Sequence, residues 1–275
     1  MNGLKGRTVT AAIPPGADLV GHLNQAAAKH TLAPWVAALL GVAGAATLPW
    51  GIGVWLAAVP IVWWLALYDR RNRTVAVHYE LGDEAERWYG QLTEAVRQLK
   101  LGHHLWRIDT AGFAESPSAS AGTGIDTTLP RQPIHVSTRP EYPLVSNLRV
   151  PTFSCGTHTL SLLPDRVLAR AHNTFSDATY DLLTVSARKL RFTEQETLPD
   201  SAQIVDHTWL YTNKDGSPDR RRRDNQELPI VEYGLVEIKS KSGARWCMLL
   251  TDTSTADQIV ELLSDAPRDV SRTHH

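Results

Sequence analysis

The distribution of apolar and charged residues sets one stretch of the chain apart from the rest. Residues 32–68 contain no charged side chain, and almost every position is apolar. Pro49-Trp50-Gly51 divides the stretch into two segments of roughly 17 residues, each just long enough for a helix that crosses hydrocarbon. The pattern therefore predicts a transmembrane helical hairpin over residues 32–68. A buried helical hairpin in a soluble core is the alternative.

Aromatic residues concentrate near the ends of the two predicted spans. Five of the nine tryptophans of the chain fall in this stretch. Trp35 opens the first span, Trp50 lies in the turn, and Trp63, Trp64 and Tyr68 close the second span. Amphipathic rings of this kind are favoured where a helix end meets a membrane interface.

Small residues recur at four-residue intervals within the spans. The first span carries Ala37, Gly41 and Ala45, and the second offers Gly53 and Ala57. This spacing predicts helix packing through a close approach of the two backbones. The alternative is an alanine-rich membrane segment without specific packing.

Positive charges flank the apolar stretch, whereas its turn has no charge. Lys29 precedes the first span, and Arg70, Arg71 and Arg73 follow the second. The positive-inside rule therefore predicts that both termini face the cytoplasm. Residues 1–31 are predicted to be a cytosolic arm that contains a short surface helix or is disordered.

The chain after the arginines changes to the pattern of a soluble protein. Residues 69–112 are predicted to form a strand and an amphipathic helix from Asp83 to Leu101, because apolar positions recur there by threes and fours. Residues 113–149 are predicted to be a linker, since Ser, Ala, Gly and Thr dominate its first half without a hydrophobic period.

Residues 150–266 alternate between apolar runs and turn formers, which predicts a β-rich cytosolic domain. The clearest hairpins flank Pro164-Asp165 and Lys241-Ser242-Gly243, and Thr255 with Gln258 predicts a capping box for a final helix. Six or seven antiparallel strands and one C-terminal helix are typical of a pleckstrin-homology-like barrel. The predicted fold class is thus an α+β membrane protein, and residues 267–275 are expected to be a disordered tail.

Composition narrows the classes of function. The 275-residue chain has a formal net charge of -1 and a mean hydropathy of -0.23, so the apolar stretch is a minority of the sequence. A charge near zero gives no overall attraction to nucleic acid, and any electrostatic recognition must come from a local patch. Cys155 and Cys247 are the only cysteines, which excludes a disulfide scaffold and predicts two buried thiols.

The strongest local patch lies in residues 211–229, YTNKDGSPDRRRRDNQELP. The turn formers Asn213, Gly216 and Pro218 predict a long loop between two strands. Guanidinium groups match the geometry of phosphate oxygens, so a phosphate-bearing ligand is one interpretation. The candidate ligand-binding residues are Lys214, Arg220, Arg221, Arg222 and Arg223. A solvated loop, or arginines that pair with carboxylates of their own domain, are the alternatives.

The same loop carries a resemblance to a family of uncharacterised bacterial membrane proteins. These proteins share a W-x-Y-x-N-K-x-G-x-P-D-R-R loop followed by E-L-P. The matching positions are Trp209, Tyr211, Asn213, Lys214, Gly216, Pro218, Asp219, Arg220, Arg221 and Glu227-Leu228-Pro229. The resemblance extends from about Leu81 to Leu250, and it implies no activity because the family has no established biochemistry.

The sequence contains no nucleophile elbow, Walker loop, dinucleotide fingerprint or zinc helix. We therefore predict a non-enzymatic, membrane-anchored module, without cofactor or metal, whose cytosolic domain binds a phosphate-bearing ligand or a partner protein. One alternative is an oligomeric effector that perturbs the bilayer under control of the soluble domain. Another is a metal-dependent hydrolase that uses Asp219, Glu227 and Lys239, with Glu237-x-Lys239 as its sequence signal.

Overall fold

The computed structural model describes residues 18–28, 32–46, 51–102, 104–108, 131–194, 198, 202–213, 217–241 and 243–267. The predicted arm before residue 18, Pro49 and Trp50 of the predicted turn, residues 109–130 of the predicted linker and the tail from residue 268 lie outside this description. The described chain is α+β, with a mostly antiparallel β-rich part.

The helices and strands have the following bounds. The helices are α1 (Leu19–Ala28), α2 (Ala33–Ala46), α3 (Gly51–Arg73), α4 (Asp83–Gly102) and α5 (Thr253–Ser264). The strands are β1 (Val75–Val77), β2 (Leu105–Ile108), β3 (Arg131–Pro133), β4 (His135–Ser137), β5 (Leu144–Ser146), β6 (Thr152–Cys155), β7 (His158–Leu162), β8 (Arg166–Ala171), β9 (Thr174–Thr179), β10 (Leu183–Thr193), β11 (Gln203–Trp209), β12 (Glu227–Ser240) and β13 (Arg245–Leu250).

The chain divides into two compact units. The first comprises Met1–Tyr79, Pro140–Leu148 and His172–Phe175, and the second comprises the rest. In the first unit, α2 and α3 pack against each other, and β1 pairs in parallel with β5. The two apolar segments of the sequence are therefore helical where they are described, and α3 continues beyond them to Arg73.

The second unit contains a six-stranded sheet built around β12. This long strand pairs antiparallel with β10 along one edge, and with β11 and then β13 along the other. Strands β2 and β3 extend the sheet beyond β13. Since β12 is central, its residues 231–236 are all buried, whereas residues 183–188 of the edge strand β10 alternate between half-buried and exposed positions. The predicted hairpin around Lys241-Ser242-Gly243 is confirmed by the β12–β13 pairing.

A five-stranded sheet in the order β4-β6-β7-β8-β9 completes the β-rich part. Its β7–β8 pairing confirms the hairpin predicted around Pro164-Asp165. Apart from the β1–β5 pair, the described strands thus form two separate sheets, an arrangement that does not confirm the pleckstrin-homology-like plan. Strands β3 to β5 lie within residues 113–149, for which the sequence predicts a linker. Each is three residues long, too short for a period to show in the sequence.

Helix α5 packs on β12 and α4. A Cβ at Gly234 of β12 would stand 2.6 Å from Cβ of Ala256, so glycine permits the close approach of helix and strand. The helix is confirmed, but the predicted capping residue is wrong. Asp252 is the N-cap, because its carboxylate accepts hydrogen bonds from the backbone N–H groups of Ser254 and Thr255.

Helix α4 confirms the amphipathic helix of the sequence. Its apolar stripe, which includes Trp88, Leu92, Val96 and Leu99, is buried, while Asp83 opens an acidic first turn. Both cysteines are buried and free, as predicted. Burial raises the pKa of the Cys155 thiol, so this side chain remains a neutral thiol.

Candidate functional site

An extensive apolar surface lies on α2 and α3. Twelve large hydrophobic side chains of residues 32–68 are exposed. The exposed set is Leu32, Trp35, Leu39, Val42, Trp55, Leu56, Val59, Ile61, Trp63, Trp64, Leu67 and Tyr68. Single exposed apolar residues are ordinary, but a contiguous group of this size is typical of interaction surfaces.

One segment meets the length and composition required of a membrane span. Among the described residues, Leu19–Ala46 is the one candidate, near the N-terminus, and 13% of its most apolar part is buried. The core helix of a soluble protein would be mostly buried instead. Trp55–Asp69 is a second apolar helical stretch of shorter length. The one candidate span begins before the first predicted span, and the second apolar helix is shorter than a span requires, so the described residues do not confirm the predicted two-helix membrane hairpin.

Two charged side chains near the end of α3 form hydrogen bonds with the start of α2 and the end of α1. Asp69 is buried, and its Oδ2 accepts hydrogen bonds from the backbone N–H groups of Leu32 (2.8 Å) and Ala33 (3.0 Å). One turn later, Arg73 donates two hydrogen bonds of 2.9 Å to carbonyl groups in the last turn of α1. An acid at a helix N-terminus and a base at a C-terminus both complement the helix dipole.

The close contact between α2 and α3 is made at a glycine that the four-residue pattern does not include. Gly44 is buried, and a Cβ there would stand 2.1 Å from Nε1 of Trp55. The indole N–H donates a hydrogen bond of 3.4 Å to the carbonyl of Gly41, yet no atom lies within 4 Å of a Cβ built at Gly41. Close approach therefore depends on Gly44 rather than on the side of α2 that carries Gly41.

The other predicted packing residues lie mostly on the surface. Ala45 and Ala57 are exposed, and Ala37 is half-buried. Gly53 belongs to α3, but its surroundings lie outside the described residues. At Gly44 the space beside the backbone is filled by the large Trp55 side chain rather than by another small residue.

The arginine run predicted from the sequence lies in a loop between β11 and β12, residues 210–226, here termed the arginine loop. Its arms are joined by backbone hydrogen bonds: Leu210 N–H to Gln226 O at 2.9 Å, and Asp219 N–H to Tyr211 O at 3.0 Å. Thr212 also forms an isolated antiparallel bridge with Pro218. Lys214, the first predicted ligand-binding residue, lies outside the described residues.

Side-chain amides complete this pairing. Asn225 accepts a hydrogen bond from the N–H of Tyr211 and donates one to its carbonyl, both at 2.8 Å, as a paired strand would do. Asn213 donates to the Ser217 hydroxyl at 2.9 Å. The Asp219 carboxylate accepts from the backbone N–H of Arg221 at 3.0 Å. The loop is therefore held in shape by amides and one carboxylate.

The four arginines are displayed on this loop. Arg220, Arg221, Arg222 and Arg223 are all exposed, and no ion pair joins any of them to a carboxylate in the described part of the chain. The Arg222 guanidinium lies 4.7 Å from the centroid of the Tyr211 ring, a cation–π contact. The structure brings these residues together on one loop, as the sequence predicts from their adjacency.

A buried charge cluster went undetected in the sequence. Arg131 donates to both carboxylate oxygens of Glu194, at 2.6 and 2.9 Å, and the Tyr233 hydroxyl donates to Glu194 at 2.9 Å. Hydrogen bonding to Glu194 raises the pKa of Arg131, and burial raises the pKa of Tyr233. Because 63 residues separate Arg131 from Glu194, no local spacing could indicate the pair.

Glu237 and Lys239, the sequence signal of the hydrolase alternative, form an ion pair. Glu237 on β12 pairs with Lys239 at 2.9 Å and with Arg245 on β13. Partial burial acts to raise the pKa of Glu237, but hydrogen bonds from these two cations outweigh it and lower the pKa. Within the described ranges, no group of three His, Cys, Asp or Glu side chains is arranged to hold a metal ion.

Comparison with models of protein families, with curated proteins and with solved structures finds no match to this chain. The candidate sites are therefore defined by their own geometry: an exposed apolar surface in one unit, and in the other the arginine loop, with its exposed arginines and internal hydrogen bonds.

Proposed function

We propose that this protein is a non-enzymatic binding module, anchored in a bilayer by α2 and α3, whose β-rich unit recognises a phosphate-bearing ligand. The observation that carries the proposal is the exposed apolar surface of residues 32–68. Burial of apolar area contributes about 25 cal/mol per Å², so twelve exposed large side chains favour transfer into hydrocarbon. Trp35, Trp63 and Trp64 belong to this surface and suit the membrane interfaces.

The arginine loop supports the recognition half of the proposal. Exposed guanidinium groups donate paired hydrogen bonds that fit phosphate oxygens. A loop already held by Asn213, Asp219 and Asn225 loses less conformational entropy on binding than a mobile one. Because exposed charges are screened by salt, binding at this loop should weaken as ionic strength rises.

The location proposed for the protein is the bacterial inner membrane with both termini in the cytoplasm. Arg70 and Arg71 follow the apolar stretch directly, and its turn is uncharged. This orientation is tested by labelling intact cells in which a single cysteine has been introduced either in the arm or near the C-terminus of the chain. Reaction with a membrane-impermeant maleimide before lysis would contradict it.

The membrane anchor is tested on the full chain made by cell-free synthesis with vesicles of neutral lipid. The protein should float with the vesicles and resist extraction by high salt and alkaline carbonate. A matched variant with Leu39, Val42 and Leu56 changed to serine should stay in the soluble fraction. The anchor would be refuted if the unmodified chain were recovered as a soluble monomer in equal amounts with and without vesicles.

Recognition is tested separately on the detergent-solubilised full chain, with inorganic phosphate and ATP as probes in titration calorimetry. Changing Arg220 and Arg221 to alanine should weaken binding at least tenfold, because two charge-assisted contacts are lost. Changing Arg97 and Lys100, two exposed cations of α4, to alanine is the matched control and should leave binding unchanged. Equal affinities for both double variants would refute the role of the loop.

One observation favours a second candidate, an oligomeric membrane-perturbing effector. The side of α2 that carries Gly41 and Ala45 is exposed, with no atom within 4 Å of a Cβ at Gly41. A monomeric mass for the protein in detergent, together with unchanged membrane potential on overexpression, would exclude this function. The hydrolase alternative would require metal-dependent cleavage of a nucleic acid or phosphate ester, which a screen with divalent cations tests directly.

A further inference from the structure

A small cavity lies within the second unit, lined by strands of both of its sheets. Its volume is about 50 Å³. The inner wall is apolar and includes Leu160 and Val167 of the five-stranded sheet and Ile238 of β12, all of them buried. Exposed Ser176 and Ala244 belong to its outer wall. The cavity is separate from the arginine loop and from the apolar surface of α2 and α3.

Trp246 lines this cavity and carries a polar group that the packing leaves unused. The residue is 6% exposed, and its indole N–H has no hydrogen-bond acceptor among the described residues. The Arg107 guanidinium lies over the face of the ring, 4.9 Å from its centroid, so this contact leaves the ring edge that bears the N–H available. Buried polar groups without a partner are rare in native proteins. Since indole is only a donor, a complementary group must be an acceptor.

The charges around the cavity favour a neutral acceptor over an ionised one. Asp177 lines the cavity but pairs with Arg166 at 2.7 Å, and Arg245 lines it but pairs with Glu237. Each of these charges is therefore already balanced by a neighbour. Moving an ionised ligand into an apolar site without a countercharge is far less favourable than moving a neutral one.

The volume of the cavity limits the size of the ligand. One water-sized group needs roughly 10–15 Å³ of such volume, so the cavity accommodates about four non-hydrogen atoms. We propose that this cavity binds a small neutral carbonyl compound whose oxygen accepts a hydrogen bond from the Trp246 indole N–H, while its aliphatic part contacts Leu160, Val167 and Ile238. The inference does not depend on the membrane anchor or on phosphate recognition.

The test follows the indole N–H signals of the full chain, labelled with ¹⁵N-tryptophan in detergent micelles. The chain has nine tryptophans, and Trp246→Phe assigns the signal of interest. Acetone and acetate are the matched probes, because they have equal numbers of non-hydrogen atoms and differ in charge. Acetone should shift the Trp246 signal saturably, with a dissociation constant in the millimolar range, since so few atoms supply little binding free energy. Acetate at the same concentration should leave it unchanged.

A variant that fills the cavity provides the control. Ala169→Leu adds three carbons to the lining and should abolish the acetone response, while the other indole signals show that the fold is intact. Ala178→Leu replaces it if that variant does not fold. The proposal would be overturned if the Trp246 signal did not respond to acetone, or if it responded equally in the filled variant. A response to acetate but not to acetone would also overturn it, as would a bound water that exchanges with the indole N–H and is not displaced by acetone.

Discussion

The Arg131–Glu194 pair can be compared with a far more exposed bidentate pair in the same unit. Its bidentate geometry is repeated in α4 by Arg97 and Glu94, whose nitrogen–oxygen distances are 2.6 and 2.7 Å. The side chains of the buried pair are 18% and 5% exposed, and those of the α4 pair are 45% and 52% exposed. Both pairs are therefore tested by the same change, glutamate to leucine.

Glu194→Leu should destabilise the protein by about 3–5 kcal/mol, because it leaves a buried guanidinium without its countercharge. The Tyr233 hydroxyl also loses its acceptor. The rings of Trp106, Phe192 and Tyr233 lie 5.5 to 5.9 Å from the Arg131 guanidinium, and this cation–π contact should keep the loss toward the lower end of the range. Glu94→Leu should change the free energy of unfolding by no more than about 0.5 kcal/mol.

Urea unfolding of the full chain in detergent, followed by tryptophan fluorescence and circular dichroism, measures both variants. The midpoint of thermal unfolding should fall by about 2–4 °C per kcal/mol for a unit of this size. Adding Arg131→Met to Glu194→Leu should recover most of the loss, because an apolar pair removes the stranded charge. Equal stability losses for Glu194→Leu and Glu94→Leu, or no recovery in the double variant, would refute the reasoning from burial.

Two further predictions concern single contacts. Gly44→Leu should lower the midpoint of thermal unfolding in detergent, since overpacking against Trp55 costs about 1–3 kcal/mol. Gly41→Leu is the matched control, because a Cβ at Gly41 meets open space. Equal effects of the two substitutions would contradict the packing argument. Asp252→Ala should cost about 1 kcal/mol at neutral pH by removing the N-cap of α5. Burial acts to raise the pKa of Asp252, but hydrogen bonds from Thr255 and Ser254 outweigh it and lower the pKa below the ordinary value of 3.8. The stabilisation is therefore present above about pH 4 and is lost as the pH falls through the folded-state pKa. The free energy of unfolding, measured with urea, should thus decrease less between neutral and acid pH in Asp252→Ala than in the unmodified chain. An equal decrease in both proteins would contradict this prediction.

The helices of the chain were predictable because their signals are local. A helix needs only a three-to-four-residue period or a long apolar run, and both are visible within one stretch of sequence. The stripe of α4 from Asp83 and the two helices of residues 32–68 were found in this way. The hairpins around Pro164-Asp165 and Lys241-Ser242-Gly243 were equally local, since a turn and its two flanking strands are contiguous in the chain.

Pairing between distant segments had no such signal. Residues 131–146 read as part of a linker, yet β3 and β4 join different sheets of the second unit. The N-cap of α5 was misassigned to Thr255, because several adjacent residues are chemically able to cap and only the backbone geometry selects Asp252. Gly44 stands beside the four-residue pattern of α2, and its contact with Trp55 has no signal in the sequence because a large residue fills the space next to the glycine.

The sequence by itself determined where apolar surface and positive charge are concentrated, because composition and adjacency do not depend on folding. It placed the apolar stretch at residues 32–68 and the four arginines at 220–223. Only the tertiary structure decided which distant polar groups meet: Asp69 at the start of α2, Glu194 beside Arg131, and Asn225 across the arginine loop from Tyr211. Such contacts join residues far apart in the chain, and their energies exist only once folding has removed water from between them.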